Sequence, residues 1–339
     1  MSQVQLSGRS FEGPSSGSPL LQVKDLTVRF EKKRSFGRRS AVINAVNNVS
    51  FSVNQSEVVA IVGESGSGKT TLARSIVGLL RPSSGSIMFD GSEITRLSEK
   101  QLHNYHRSVQ VIHQDPFESL TPRLDVYTTL SIPIRKLLKI KDAKQVTERV
   151  QSLLQEVSLD PTEVMRRYPH QLSGGQRQRV NIARALAPEP RLLIADEPIT
   201  MLDAAQRLNI LYLLSNLKTK RSLTVLFITH DLASARLLCP KTMVMYLGKL
   251  VEEGNTEAVL SKPNHPYVEM ILDAMPNLRI GEVAKSKPRP SMEEGNPIIR
   301  GCVFNPRCSY RTEICKQVEP PLIERSTQHL AACHNPLNS

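Results

Sequence analysis

Hydrophobic and polar positions change period several times along the chain, and each change marks an element. LLQVKDLTVRF (20–30) alternates as a half-buried strand does, and AVINAVNNVSFSV (41–53) repeats the pattern. VVAIVG (58–63) is a short, wholly apolar run that stops at a glycine-rich turn, and TTLARSIVGLL (70–80) then takes helical spacing, with Gly78 near its end. Residues from about 100 to 180 are polar and helical in pattern, with KDAKQVTERVQSLLQEVSL (141–159) an amphipathic helix. Strand signals return in RLLIADEP (191–198) and TVLFITH (224–230), both apolar enough for a parallel sheet buried on both faces. MVMYLGKLVEEG (243–254) has the form of a hairpin closing this core. The pattern predicts an α/β fold with a helical insertion between two halves of one sheet. From about 263 Pro and Gly become frequent, which marks a composition boundary.

Two motifs fall at the joints of these elements. Gly63-Glu64-Ser65-Gly66-Ser67-Gly68-Lys69-Thr70, followed by Thr71, matches GxxxxGK[ST] between a strand and a helix. Such glycines let backbone N–H groups converge on phosphates, and the helix that follows points its positive end at them. In that arrangement Lys69 reaches the β- and γ-phosphates of ATP, and the Thr70 hydroxyl ligates Mg²⁺. The second motif is the strand Leu192–Ala195, which ends in Asp196 and Glu197. Asp196 is the candidate Mg²⁺ residue and Glu197 the candidate base that orients and polarises the attacking water.

Composition narrows the class. With 339 residues, 40% hydrophobic and 22% charged, the chain is a folded protein with room for a main domain and an appendage. It has no run of 18 apolar residues, and its Ser/Gly-rich first 20 residues read as a flexible tail without a signal-peptide h-region, which points to the cytoplasm. The net charge of +12 suits nucleic acid, anionic lipid or an acidic partner. Nucleic-acid binding would call for basic clusters interleaved with exposed aromatics, but aromatics are 4% and Trp is absent, so no nucleic acid is expected. The basic run Lys32, Lys33, Arg34, Arg38 and Arg39 reads as a solvated loop or a membrane-facing one.

Leu172-Ser173-Gly174-Gly175-Gln176 lies between the two phosphate-site motifs. Taken alone it is a helix-start turn. Together with those motifs it makes residues 20–262 resemble the nucleotide-binding subunits of ATP-binding-cassette (ABC) transporters, a P-loop ATPase core with a helical subdomain at about 100–180. The resemblance implies that Ser173, Gly174 and Gly175 contact ATP held by a partner subunit's phosphate loop. It implies that Gln114 (VIHQDP) senses Mg²⁺ and couples to the membrane subunits, that Asp203 is the D-loop aspartate, and that His230 (FITHD) contacts the γ-phosphate. Phe30 is the candidate for stacking on adenine, with an ordinary strand Phe as the alternative. Thr200-Met201-Leu202-Asp203 departs from the SALD usual in that family.

GESGSGKTTLARSIVGLLRPSSG, VIHQDPFESLTPRLDV, RYPHQLSGGQRQRVNIARAL and HPYVEMILDAMP look like the dipeptide and oligopeptide importer subfamily, and residues 263–339 resemble its C-terminal extension. The resemblance implies an ATPase at the cytoplasmic face of the membrane that powers peptide import. Its implied partners are a second ATPase subunit (a heterodimer favoured), two transmembrane permeases and an extracytoplasmic solute-binding protein. Metal chelates and oligosaccharides are alternative cargoes, and a soluble ABC ATPase acting on nucleic acid or ribosomes is the alternative class. Cys302, Cys308, Cys315 and Cys333 fall within 32 residues, with Cys239 alone elsewhere. Disulfides do not suit the reducing compartment of an ATPase, and four clustered thiols suggest a metal staple. Their spacing is not the CxxC of common zinc sites. Four thiolates suit Zn²⁺ or a [4Fe–4S] cluster, the resemblance implies the cluster, and unligated structural thiols are the remaining alternative.

Overall fold

The computed structural model describes residues 18–32, 41–275 and 300–338. Most of the Ser/Gly tail and the basic positions Lys33, Arg34, Arg38 and Arg39 lie outside the described residues. The chain begins with β1 (Leu21–Lys32), β2 (Ala41–Val53), β3 (Val58–Val62), α1 (Lys69–Ile76), β4 (Ser84–Phe89) and β5 (Ser92–Glu93). Next come α2 (Glu99–Ser108), β6 (Val109–Ile112), α3 (Pro116–Ser119), α4 (Val126–Leu137), α5 (Ala143–Glu156), α6 (Pro161–Val164) and α7 (Gly174–Leu186). Then follow β7 (Leu192–Asp196), α8 (Ala204–Arg221), β8 (Thr224–Thr229), α9 (Leu232–Leu238), β9 (Lys241–Tyr246) and β10 (Lys249–Asn255). The C-terminal part supplies α10 (Thr256–Ser261), α11 (Pro266–Asp273), α12 (Ile314–Gln317), β11 (Ile323–Ser326) and β12 (His329–Ala331).

The strands make two sheets, an antiparallel one ordered β2-β1-β4-β5 and a mixed one ordered β11-β12-β10-β9-β3-β8-β7-β6. The neighbours from β9 to β6 run parallel, and all of β3, β7 and β8 is buried. Their alternation feeds two cores. Val58, Ala60 and Val62 face the helices, while Val59 and Ile61 face the antiparallel sheet. A strand apolar at every position is what such a two-sided sheet requires.

Helices α3 to α7 form the insertion. Asp142 caps α5 by accepting from the Gln145 N–H at 2.8 Å, and the helix buries Val146, Val150, Leu153 and Leu154. Each side chain removed from water in this way contributes about 1.5–3 kcal/mol. The span expected to be helical, 100–180, also holds a strand, because β6 pairs with β7 at the sheet edge. A four-residue segment such as Val109-Gln110-Val111-Ile112 is too short to show a clear period, and the free edge of β7 makes it a strand. Helix α1 also ends earlier than its pattern suggested, at Ile76, since Gly78 adopts φ +81°.

The C-terminal segment is built into the cassette. β12 extends the main sheet on β10, and Cys302, Phe304 and Cys315 join the helix-side core. The join centres on Glu252, which is 0% exposed. Its carboxylate accepts from Asn264 N (2.8 Å), His265 N (2.7 Å) and His329 Nε2 (2.7 Å). Burial pushes the Glu252 carboxyl above its usual range, and these three contacts act in the opposite direction. Glu252→Ala leaves two backbone N–H groups and the Nε2 of His329 buried without partners, an expected loss of about 3 kcal/mol. Urea denaturation of the full chain measures it, and a loss below about 1 kcal/mol would mean that the contact is not what holds the segment.

Candidate functional site

Strand β3 delivers the phosphate loop, and its packing dictates where glycine stands. A Cβ on Gly63 would lie 2.2 Å from the Met245 carbonyl oxygen, and one on Gly68 would lie 2.1 Å from that of Ala45. Gly68 also has φ +101°, a backbone region that L side chains rarely adopt. The loop is thus pressed between β2 and β9 and leads straight into α1. Lys69 is buried, and its ammonium donates to Gly63 O (2.7 Å), Glu64 O (2.8 Å) and Ser67 Oγ (3.3 Å). Burial lowers the Lys69 pKa, while Glu197, Asp196 and Glu64 raise it.

Across from the loop stand the two acids at the tip of β7. Thr70 Oγ1 donates to Asp196 Oδ1 at 3.3 Å, so the two oxygens expected on Mg²⁺ are adjacent. Burial and the Glu197 charge raise the Asp196 pKa, with the Thr70 hydrogen bond opposing them. A carboxylate pair desolvated beside a hydroxyl fits a divalent cation, which supplies the positive charge that such a pair lacks. Glu197 takes the left-handed backbone φ of +48°, a costly conformation for a non-glycine residue and one found at functional positions. Three groups surround its Oε2: Gln114 Nε2 at 3.2 Å, Thr200 Oγ1 at 3.1 Å and His230 Nδ1 at 3.4 Å. A carboxylate held by three groups at the mouth of a phosphate loop can orient a water for attack.

A cavity of about 1140 Å³ joins these pieces, lined by Gly63, Glu64, Ser65, Gly66, Gly68, Lys69, Thr70, Thr71, Gln114, Glu197 and His230. Phe30 is on β1, 44% exposed, and is not in that lining. Residues 172–176 also lie off the cavity. Ser173 and Gln176 cap α7 reciprocally, Ser173 Oγ accepting from Gln176 N at 3.2 Å and Gln176 Oε1 from Ser173 N at 3.0 Å. Asp203 caps α8 through Gln206 N at 2.9 Å.

Two contributions escaped the sequence reading. Thr200, seen only as a departure from SALD, holds Glu197. The C-terminal segment also reaches the cavity through Met270, Ile271, Asp273, Ala274, Met275 and Arg307. Arg307 pairs with Glu64 through two bonds, at 2.8 and 3.1 Å, and Tyr267 Oη accepts from the Glu64 N–H at 2.9 Å. HPYVEM was a subfamily signal, but no local pattern places a residue 243 positions away on the phosphate loop.

Cys302, Cys308, Cys315 and Cys333 line one enclosed cavity with His265 and Phe304. Its volume is about 10 Å³, room for no more than one water. All four are free thiols, and among the described residues no group of three or more His, Cys, Asp or Glu is placed to hold a metal ion. The expected ligands are therefore gathered but not in a ligating arrangement. Burial raises the pKa of Cys302 and Cys308 and pushes Cys333 up to about 11. Cys239 is buried apart from them.

Fold and site together define a P-loop nucleotide-binding cassette. Residues 46–200 match the family described as ABC transporter, and residues 251–315 match the oligopeptide/dipeptide transporter C-terminal region. A putative peptide import ATP-binding protein of Brucella ovis is 37% identical over 93% of this chain and 98% of its own. The oligopeptide transport ATP-binding protein AppF of Bacillus subtilis is 37% identical over 93% of this chain and 97% of its own. Among solved structures, a dimeric ATP-binding cassette in a post-hydrolysis state with ADP and phosphate is similar, with TM-score 0.63 and 28% identity. It spans 70% of this chain and 98% of that one. CbiO1 of Clostridium perfringens, part of an ABC transporter complex, gives TM-score 0.62 and 29% identity, covering 77% of this chain and 96% of its own. This chain belongs to the ATP-hydrolysing subunits of ABC transporters, and its C-terminal region is of the oligopeptide/dipeptide type. No helix among the described residues is long and apolar enough to cross a membrane.

Thr200→Val removes only the hydroxyl that holds Glu197. It is expected to lower kcat roughly threefold to tenfold with little change in KM, because orientation of the attacking water matters most in the transition state. Steady-state ATPase kinetics decide it, and an unchanged kcat would leave Thr200 without a catalytic consequence.

Proposed function

We propose that this chain powers the import of peptides, hydrolysing ATP bound between its own phosphate loop and the Leu172–Gln176 segment of a second cassette subunit. The observation that carries the cargo class is the match of residues 251–315 to the oligopeptide/dipeptide region, in a segment built into the same sheet as the phosphate loop. The names of the relatives in Brucella and Bacillus support the same class. Two permease subunits and an extracytoplasmic solute-binding protein complete the system, with the chain on the cytoplasmic face of the membrane and a sister subunit as its partner. Pairing is supported by the position of residues 172–176. They lie at the start of α7, away from the cavity that holds Lys69, which suits a second chain bringing its own segment to this cavity.

Within the site, the loop amides and Lys69 bind the phosphates, while Thr70, Asp196 and Gln114 would hold Mg²⁺, which would offset phosphate charge. Glu197 takes the proton of the attacking water, and His230 faces the γ-phosphate. Exchange of the Lys69 contacts from loop carbonyls to phosphate oxygens accompanies binding. The bound nucleotide favours the closed pair of subunits through contacts made only in that state, and hydrolysis removes them.

We further propose that the four cysteines hold a [4Fe–4S] cluster. Four thiols around one cavity supply the donor set of such a cluster by residue type, and the cavity, about 10 Å³, would have to widen to admit it. When bound, the group would tie together a segment with little core of its own.

Glu197→Gln is expected to cut ATP turnover at least about 100-fold and to trap an ATP-bound pair of subunits, seen by size exclusion. Turnover at the wild-type rate would remove Glu197 from its role. After anaerobic purification, iron and sulfide in equal amounts with visible absorption are expected. A colourless protein with stoichiometric zinc would overturn the cluster.

A further inference from the structure

We propose that Arg307 is a positioning residue of the ATP site, neutralising the Glu64 carboxylate so that the phosphate loop can accept a polyphosphate. The inference rests on the reading of the loop as the ATP site. Glu64 occupies the second position of that loop, and its side chain stays 45% exposed at the cavity that also holds Lys69. Glu64, Glu197 and Asp273 all line this cavity, against Lys69 and Arg307 as its only full-time cations among the described residues. Lys69 is occupied by Gly63 O, Glu64 O and Ser67 Oγ in the same arrangement. A carboxylate at the entrance to a phosphate site repels the ligand, because like charges in a partly desolvated cleft interact far more strongly than in bulk water.

Arg307 is built to cancel that charge. Its side chain is only 17% exposed, and it meets Glu64 with both Nη1 (2.8 Å) and Nη2 (3.1 Å). The guanidinium lies 5.7 Å from the Tyr246 ring centre and 6.0 Å from that of Phe304, and Nη1 donates to Tyr246 Oη at 3.4 Å. Two aromatic faces and a fork-to-fork pair fix a planar cation in one place. As a contribution to stability, a half-exposed pair of this kind is worth little. Its consequence is the local field: with the pair intact the loop presents backbone N–H groups and Lys69, and with Arg307 gone it presents a free carboxylate. The cation is supplied by the C-terminal segment, so the cassette's affinity for ATP depends on that segment being docked.

The test uses the full chain assembled with its transporter partners and measures KM and kcat for Mg-ATP. Arg307→Met keeps the packing on Tyr246 and Phe304 and is expected to raise KM roughly threefold to tenfold with kcat within about twofold. Adding Glu64→Gln to Arg307→Met should return KM to within about twofold of wild type. An unchanged KM in Arg307→Met overturns the proposal. So does a double variant as weak as Arg307→Met, because it would show that charge on Glu64 is not the cause. Lys69→Ala in the same assay separates the two readings: if it retains wild-type KM and kcat, the ATP site itself has been misplaced.

Discussion

The site depends on how closely the phosphate loop is confined. Carbonyl oxygens of Ala45 and Met245 stand where a Cβ of Gly68 or Gly63 would go, so the strands on either side fix the path of the loop. That confinement carries the loop directly from a strand buried on both faces into α1. It also gives Lys69 a buried cage of oxygens to sit in. Widening the passage with a side chain would move loop, lysine and Thr70 together, because they share one short stretch of backbone.

Opposite the loop, Glu197 is set by a different device. The end of β7 is pinned by the pairing of Asp196 with β8 and by the bond from Glu197 N to Ile228 O at 2.9 Å. The chain then turns through a left-handed φ of +48°, which brings the Glu197 carboxylate to Gln114, Thr200 and His230. Those three come from separate parts of the chain: the loop after β6, the turn before α8 and the end of β8. The carboxylate thus joins three separate segments, and a shift of any one of them would change its contacts.

The C-terminal segment is tied to the cassette at two levels. Deep in the molecule, Glu252 gathers Asn264, His265 and His329. At the cavity, Arg307 and Tyr267 meet Glu64. The cysteine cavity lies alongside both, sharing His265 with the first and holding Cys308 next to Arg307 in the chain. What happens in this segment is thereby connected to the phosphate loop through packed side chains rather than through a flexible tether.

By itself the sequence determined the α/β cassette, because wholly apolar strands and a glycine turn before a helix permit few other arrangements. It also singled out Lys69 and Thr70, and Asp196 and Glu197, as candidates, because each pair sits within one short contiguous motif. Three things only the tertiary structure decided. The strand β6 exists because β7 offered an edge, Thr200 became a support for Glu197 because a turn brought its hydroxyl within 3.1 Å, and Arg307 reached Glu64 from 243 residues away. Each of these depends on a partner distant in sequence or on the exact direction of a turn, and hydrophobic periodicity encodes neither.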